Sequence, residues 1–307
     1  MILLGILAAS GADSAVGVAG YFGGGFSGSR IATVDKFTFP ADTRTTLGTG
    51  LSSGRNGGPG MANSGVAGYF GGGYTGSYVT TVDKFAFPAD SRTTLGTGLS
   101  SSRANLGAMA NSGVAGYFGG GETPSPVATV DKFTFPADTR TTLGTGLSSA
   151  RNYLRAMANS GVAGYFGGGQ TASAVATVDK FTFPADSRTT LGTGLSASNY
   201  GLAAMANSGV AGYFGGGYTG STRLSTVDKF AFPSDSRTTL GTGLSSARLE
   251  PAGMANSGVA GYFGGGDTGS YVATVDKFAF PADTRTTLGT GLSVGRFGLG
   301  AMANETV

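Results

Sequence analysis

Gly68-Tyr69-Phe70-Gly71-Gly72-Gly73 decides how this chain is read, because the same six letters return in every unit of the sequence. The tyrosine of the motif stands at Tyr21, Tyr69, Tyr117, Tyr165, Tyr213 and Tyr262, spaced 48 residues apart until a last interval of 49. A second segment, Val-Asp-Lys-Phe, follows each copy, with its aspartate at Asp35, Asp83, Asp131, Asp179, Asp228 and Asp276. The extra residue falls between the two segments in the fifth unit, within Tyr218 to Ser225. An insertion confined to one place marks a loop.

Working outward in the second unit, four strand-like runs emerge. Ala62-Asn63 belongs to a short first strand, turned by Ser64-Gly65. Val66 to Gly71 is a second strand ending in the glycine triplet, and Thr80 to Phe87 alternates as a third. Pro88 to Ser91 makes a turn, and Thr93 to Leu99 is expected as a fourth strand anchored by Leu95 and Leu99. No stretch has a helical period. Four short strands in a unit of roughly 40–50 residues are the mark of a propeller blade. A solenoid would need polar capping units, and neither end of the chain is polar.

The C-terminus gives the closure. Gly300-Ala301-Met302-Ala303-Asn304 begins a seventh copy and stops, while the first unit has Asp13-Ser14-Ala15 where Met-Ala-Asn would stand. The sequence therefore predicts an all-β, six-bladed β-propeller of four-stranded antiparallel blades over residues 13–307, closed by the C-terminal strand completing blade 1. Residues 1–12 form an apolar N-terminal segment, too short to span a bilayer and without Lys or Arg ahead of it. A buried strand or a tail that docks the ring onto an assembly is the expectation for it.

Composition excludes much chemistry. The 307 residues include 58 Gly, yet 20 Phe and 12 Tyr supply the buried area that a disordered glycine-rich chain lacks. There is no Cys and no His, so Ser-His-Asp, Cys-His and zinc-type sites are ruled out. No metal or other cofactor is expected. A net charge of +3 from scattered residues argues against nucleic acid as a partner.

The order of the glycine group after an aromatic second strand, the Phe-bearing third strand, the turn and the closing Arg resembles that of the kelch-repeat propellers. The resemblance covers nearly the whole chain and implies the architecture. It departs at the family's fourth-strand Trp, near whose place stand Thr46, Thr94 and their equivalents, in a chain without Trp. The resemblance therefore implies fold and no particular activity. The near-identical wording of Tyr-Phe-Gly-Gly-Gly and Thr-Thr-Leu-Gly-Thr-Gly-Leu-Ser is also similar to repeat proteins of bacteriophages and bacteria.

The repeats differ from one another at two places, after the glycine triplet and after the fourth strand. Successive strands run antiparallel, so both variable loops must leave the same end of the blade. The constant Asn-Ser-Gly and Pro-Ala-Asp turns leave the other. One face is varied and one is uniform. The varied face carries the binding candidates Phe26, Arg30, Tyr74, Tyr78, Tyr153, Arg155, Tyr200, Tyr218, Arg223, Tyr271 and Phe297. Aromatic residues on loops held by a rigid frame suit recognition, while unconstrained drift explains variation without explaining the aromatic enrichment. Asn63, Asn111, Asn159, Asn207, Asn256 and Asn304 are expected to line the central channel as a structural ring.

Other motifs read as structure. Gly71 to Gly76 matches a dinucleotide fingerprint, but a strand rather than a helix should follow it. Asp83 and its copies are expected to bond a neighbouring blade's backbone, and Asp90 and Arg92 to pair across their turn. The closing Arg55, Arg103, Arg151, Arg248 and Arg296 gives way to Asn199 in the fourth unit. Asn304-Glu305-Thr306 fits a glycosylation sequon.

These features point to a non-enzymatic structural or binding module. The leading expectation is a phage virion component (fibre, tail or decoration) or an extracellular cell-surface component that contacts a receptor, a glycan or a coat protein through the varied face. A sugar-active propeller enzyme or lectin with a central pocket is one alternative. It lacks an obvious acidic cluster, since the non-repeated Glu122 and Asp267 stand in loops of different blades. A consensus-designed propeller is the other.

Overall fold

A computed structural model describes residues 18–305 of the chain. The apolar segment 1–12 lies outside the described residues. Six four-stranded antiparallel sheets form a ring, and no helix occurs among the described residues. Blade 2 is typical, with Gly60–Asn63 innermost, then Ala67–Gly71, Val82–Ala86 and Ser91–Thr94 at the rim. Blade 1 takes its innermost strand, Gly300–Asn304, from the other end of the chain, in a register that sets Tyr21 opposite Met302. The predicted architecture and its closure are both present.

The core lies between blades rather than within them. The second strand of each blade is buried at every residue, and the rim strand is mostly exposed. Glycines in the second strand leave sockets that the neighbours fill. A Cβ on Gly68 would lie 2.0 Å from Sδ of Met302 in blade 1, and one on Gly71 would lie 2.5 Å from Cζ of Phe118 in blade 3. Each blade thus accepts a methionine from one side and a phenylalanine from the other. Burying one such side chain contributes about 1.5–3 kcal/mol, and the arrangement repeats around the ring. Tyr69 stacks on Phe135 of the next blade at 5.3 Å, adding to the same layer.

Polar latches cross the same interfaces. Asp83 Oδ2 accepts from Ser52 N at 2.8 Å, from Ser52 Oγ at 2.9 Å and from Arg55 Nη2 at 2.8 Å. Ser52 belongs to the connection leaving blade 1, so the expected bond from the repeated aspartate to neighbouring backbone is present. Burial raises the Asp83 carboxyl, but Arg55, Ser52 and Thr94 outweigh it and leave it below the ordinary value.

The expected pairing of Asp90 with Arg92 is replaced by a second latch. Asp90 accepts from Tyr21 Oη at 2.8 Å and from Lys36 Nζ at 2.6 Å, both in blade 1. Its backbone sits at φ 55°, a left-handed conformation that a short polar side chain tolerates, and the turn aims it across the interface. Arg92 instead donates to Thr94 Oγ1 at 3.1 Å.

Three further expectations are corrected. The fourth strand is Ser91–Thr94, not Thr93 to Leu99. Gly98 breaks the ladder by passing over the Thr80 carbonyl, where a Cβ would meet the oxygen at 2.3 Å. Leu99 then rejoins the blade as a buried anchor. The six asparagines do not line the channel. Strand alternation turns Ala62 and its equivalents to the axis and Asn63 toward blade 3, where its Oδ1 accepts from Gly113 N at 2.7 Å. Asn111, Asn159, Asn207 and Asn304 make the same bond to the next blade, and Asn256 is buried like them. Asn304 is also the sequon asparagine, and it is consumed by closure: it is 1% exposed and caps Gly65 N.

No helix among the described residues is long and apolar enough to cross a membrane.

Candidate functional site

The varied face is built by pairing the two variable loops. Beyond the second strand, Gly72 and Gly73 take φ of 65° and 111°, reversing the chain at a place where no side chain fits. The next residue bridges twice, once within its own loop (Tyr74 with Tyr78) and once to the connection entering its blade (Tyr74 with Asn56). The same double bridge occurs at Phe26, Glu122, Gln170, Tyr218 and Asp267. After these glycines comes a bridge and a strand, so the dinucleotide fingerprint has no helix to serve it.

At the axis the six connections meet. Gly57 N donates to Gly298 O at 2.7 Å, Asn105 N to Gly57 O at 2.7 Å, and Tyr153 N to Asn105 O at 2.7 Å. Gly201 N donates to Tyr153 O at 2.8 Å, Glu250 N to Gly201 O at 2.6 Å, and Gly298 N to Glu250 O at 3.1 Å. These six bonds form a closed cycle of backbone amides, an iris over the channel on the varied side. Every member has positive φ, including Asn105, Tyr153 and Glu250 at 57°, 53° and 51°. A left-handed position occupied by Tyr or Glu rather than Gly costs conformational energy of order 1 kcal/mol. The cycle holds those three single-copy side chains at the centre of the face.

The sequence-selected residues fall into separate groups on this face. Phe26, Tyr271 and Phe297 form an aromatic triangle with centroid distances of 5.0–5.9 Å. Tyr74 and Tyr78 lie 5.2 Å apart, with the Arg30 guanidinium 4.5 Å over the Tyr74 ring. Tyr153, Tyr200 and Tyr218 form a chain of contacts at 5.7 Å each. Arg223 pairs with Asp267 at 3.2 Å. Arg155 is the exception: it starts the innermost strand of blade 4, is buried, and lines a small axial cavity beneath the iris. Its repeat equivalents are Pro59, Gly107, Ala203, Ala252 and Gly300, so a lone long side chain folds into space left by small ones.

Beside the iris, on the side of blades 2 and 3, lies a pocket of about 200 Å³ lined by Asn56, Tyr74, Tyr78, Asn105, Glu122 and Tyr153. Glu122 is its hub. The carboxylate accepts from Asn105 Nδ2 at 2.8 Å and from Asn152 Nδ2, and its charge acts on the neighbouring Tyr78 hydroxyl. Burial raises the Tyr78 and Tyr153 hydroxyls, and the glutamates push them further, so both stay protonated. Glu250 is buried with an unpartnered Oε2, and burial pushes its carboxyl up to about 7, against the pull of Arg155. Asp267 and Glu122 add to that rise, so three acids from different blades share one electrostatic neighbourhood.

Sequence reading set Glu122 and Asp267 apart because their loops belong to different blades. It passed over Asn105 and Glu250. The signal was nonetheless present, since the aligned tip position reads Gly57, Asn105, Tyr153, Gly201, Glu250, Gly298. A position that is glycine in half the copies demands positive φ, and its three exceptions are the residues the iris displays.

No protein-family model matches the chain, and no curated protein matches it in sequence.

Proposed function

We propose that this chain is a non-enzymatic binding module that engages a partner through its varied face, as a component of a virion or of a cell surface. The observation that carries this reading is the iris. Six connections that differ in sequence are locked together by six backbone bonds, and the single-copy side chains are thereby fixed around one axis. Drift of unconstrained loops accounts for variation but gives no reason for such order at the most varied positions. A rigid frame presenting Tyr, Phe, Arg and Asn is the composition of a recognition surface. The kelch-like reading belongs to the same proposal, supported by the glycine group and the closing arginine. The similarity of wording to phage and bacterial repeats favours a virion setting.

The test is adhesion. Fluorescently labelled chain is added to a panel of bacterial cells and purified phage particles, beside a Tyr74→Ala, Tyr78→Ala, Tyr271→Ala triple variant. A uniform-face variant, Val114→Ser with Val162→Ser, serves as the control, both valines being exposed there. The varied-face variant should lose adhesion by tenfold or more while the control keeps it. Retention of adhesion by the triple variant would refute the assignment.

A further inference from the structure

The pocket beside the iris holds Glu122, a carboxylate with no ion pair among the described residues. Glu122 has two side-chain hydrogen-bond donors, and both are neutral asparagine amides. They fix the direction of the carboxylate without cancelling its charge, and an ionised carboxylate offers about four acceptor sites, so about two are left. None of the nearby bases forms an ion pair with Glu122 among the described residues. Arg30 donates its Nε to Asn56 Oδ1 at 3.3 Å, Arg223 is paired with Asp267, and Arg155 lies beneath the iris, where its pull acts on Glu250. The walls are tyrosine rings. One of them, Tyr74, already holds a cation on its face, the chain's own Arg30 guanidinium.

We infer that this pocket takes an organic cation, a primary ammonium or guanidinium group, with Glu122 as its counter-charge and Tyr78 and Tyr153 as its walls. A volume of about 200 Å³ admits one such group and not an extended ligand, being below the roughly 300–1,000 Å³ of drug-sized pockets. Tyrosine faces attract a cation through the ring quadrupole, most strongly where water is partly excluded. A neutral sugar would leave the carboxylate desolvated and uncompensated. This inference rests on the reading of the varied face as a recognition surface and specifies its chemistry. The cation has two natural sources, a Lys or Arg side chain of a protein partner and a free polyamine.

The test uses the full chain and tyrosine-ring NMR. Nα-acetyl-lysine methylamide, Nα-acetyl-arginine methylamide, spermidine and methyl glucoside are titrated separately. The two capped residues should shift the Tyr78 and Tyr153 ring signals saturably, more weakly as salt rises, and methyl glucoside should not. Spermidine binding tighter than both capped residues assigns the site to a free polyamine; the reverse order assigns it to a side chain. Glu122→Gln should weaken cation binding about tenfold. Tyr78→Leu, which leaves the carboxylate in place but removes a wall, should weaken it severalfold, with thermal unfolding confirming that both variants fold. Binding of methyl glucoside without the cations, no binding at all, or unchanged cation affinity in Glu122→Gln would overturn the inference. If it fails while the Tyr74, Tyr78, Tyr271 variant still loses adhesion, the pocket chemistry is wrong and the recognition surface stands.

Discussion

Tyr262 in blade 6 donates its hydroxyl hydrogen to Asp42 in blade 1 at 2.7 Å, joining residues 220 positions apart in sequence. Lys277 adds its Nζ to the same aspartate at 2.6 Å. This latch across the closure has the geometry of the latch between blades 2 and 3, where Tyr69 and Lys84 meet Asp138 at 2.8 and 2.6 Å. Closure through the C-terminal strand therefore yields an interface equal to the five that covalent order dictates. Asp42→Ala and Asp138→Ala should then destabilise the chain equally, by about 2 kcal/mol each, since each removes a charge-assisted pair of hydrogen bonds. Urea unfolding of both variants checks this. A ring that is open in solution would show a loss for Asp138→Ala and almost none for Asp42→Ala.

The interface around Asp228 lacks a component that its five equivalents have. Ser196 N and Oγ each reach Asp228 Oδ2 at 2.8 Å, but the residue in the arginine position is Asn199, whose Nδ2 turns to Gly216 O and whose Oδ1 is buried without a partner. Elsewhere the guanidinium closes the contact, as in Arg103 with Asp131 at 2.7 Å, both fully buried. Asn199→Arg should supply the missing cation, satisfy Asp228 and raise stability by about 1 kcal/mol. Arg103→Ala should cost about 3–5 kcal/mol, because it strands a buried carboxylate. Thermal melts of the two variants should move in opposite directions.

The socket glycines give a paired prediction. A Cβ on Gly119 would stand 2.5 Å from Cζ of Phe166, a buried ring packed from the next blade. A Cβ on Gly96, in the open loop after the rim strand, would meet nothing within 4 Å. Gly119→Ala should therefore destabilise by about 1–3 kcal/mol through overpacking. Gly96→Ala should be neutral or slightly stabilising, since it mainly restricts the unfolded chain. Equal effects in the two variants would mean that the blade interfaces are looser than these distances imply.

What the sequence made legible followed from repetition. Six copies of one pattern gave the register of the strands, and the orphan Met302-Ala303-Asn304 gave the closure, because both are fixed by local periodicity and chain length. Asp90 was harder, since its partners Tyr21 and Lys36 lie on another blade and only the rotation between blades brings them together. The same reason hid the pocket beside the iris. Glu122, Asn105 and Asn152 are neighbours through ring geometry, and sequence distance says nothing of it. Arg155 was misplaced for a different cause: it stands at the junction of a variable loop and a constant strand, and strand pairing with Gly167 carries it inside.

Two glutamates whose carboxyls are raised in the fold, Glu250 and Glu305, set the pH dependence. Burial raises Glu250 to about 7, with Arg155 opposing, and raises Glu305 at the channel mouth to about 7, with the Ser257 N–H opposing. In the unfolded chain both titrate near the ordinary glutamate value of 4.5. Between 4.5 and about 7 the folded state therefore keeps protons that the unfolded state has released, so stability falls as pH rises through that window and levels off above it. Asp83 acts in the opposite sense, because its folded carboxyl lies below the ordinary 3.8 and its contribution is lost as pH drops further. Stability should peak at about pH 4, between the ordinary aspartate and glutamate values, and decline toward neutrality. Glu250→Gln should remove roughly half of that decline, and Glu250→Gln with Glu305→Gln nearly all of it, since neither glutamine titrates. Urea midpoints measured from pH 4 to pH 8 decide the matter, and an undiminished slope in the double variant would assign the titration to other groups.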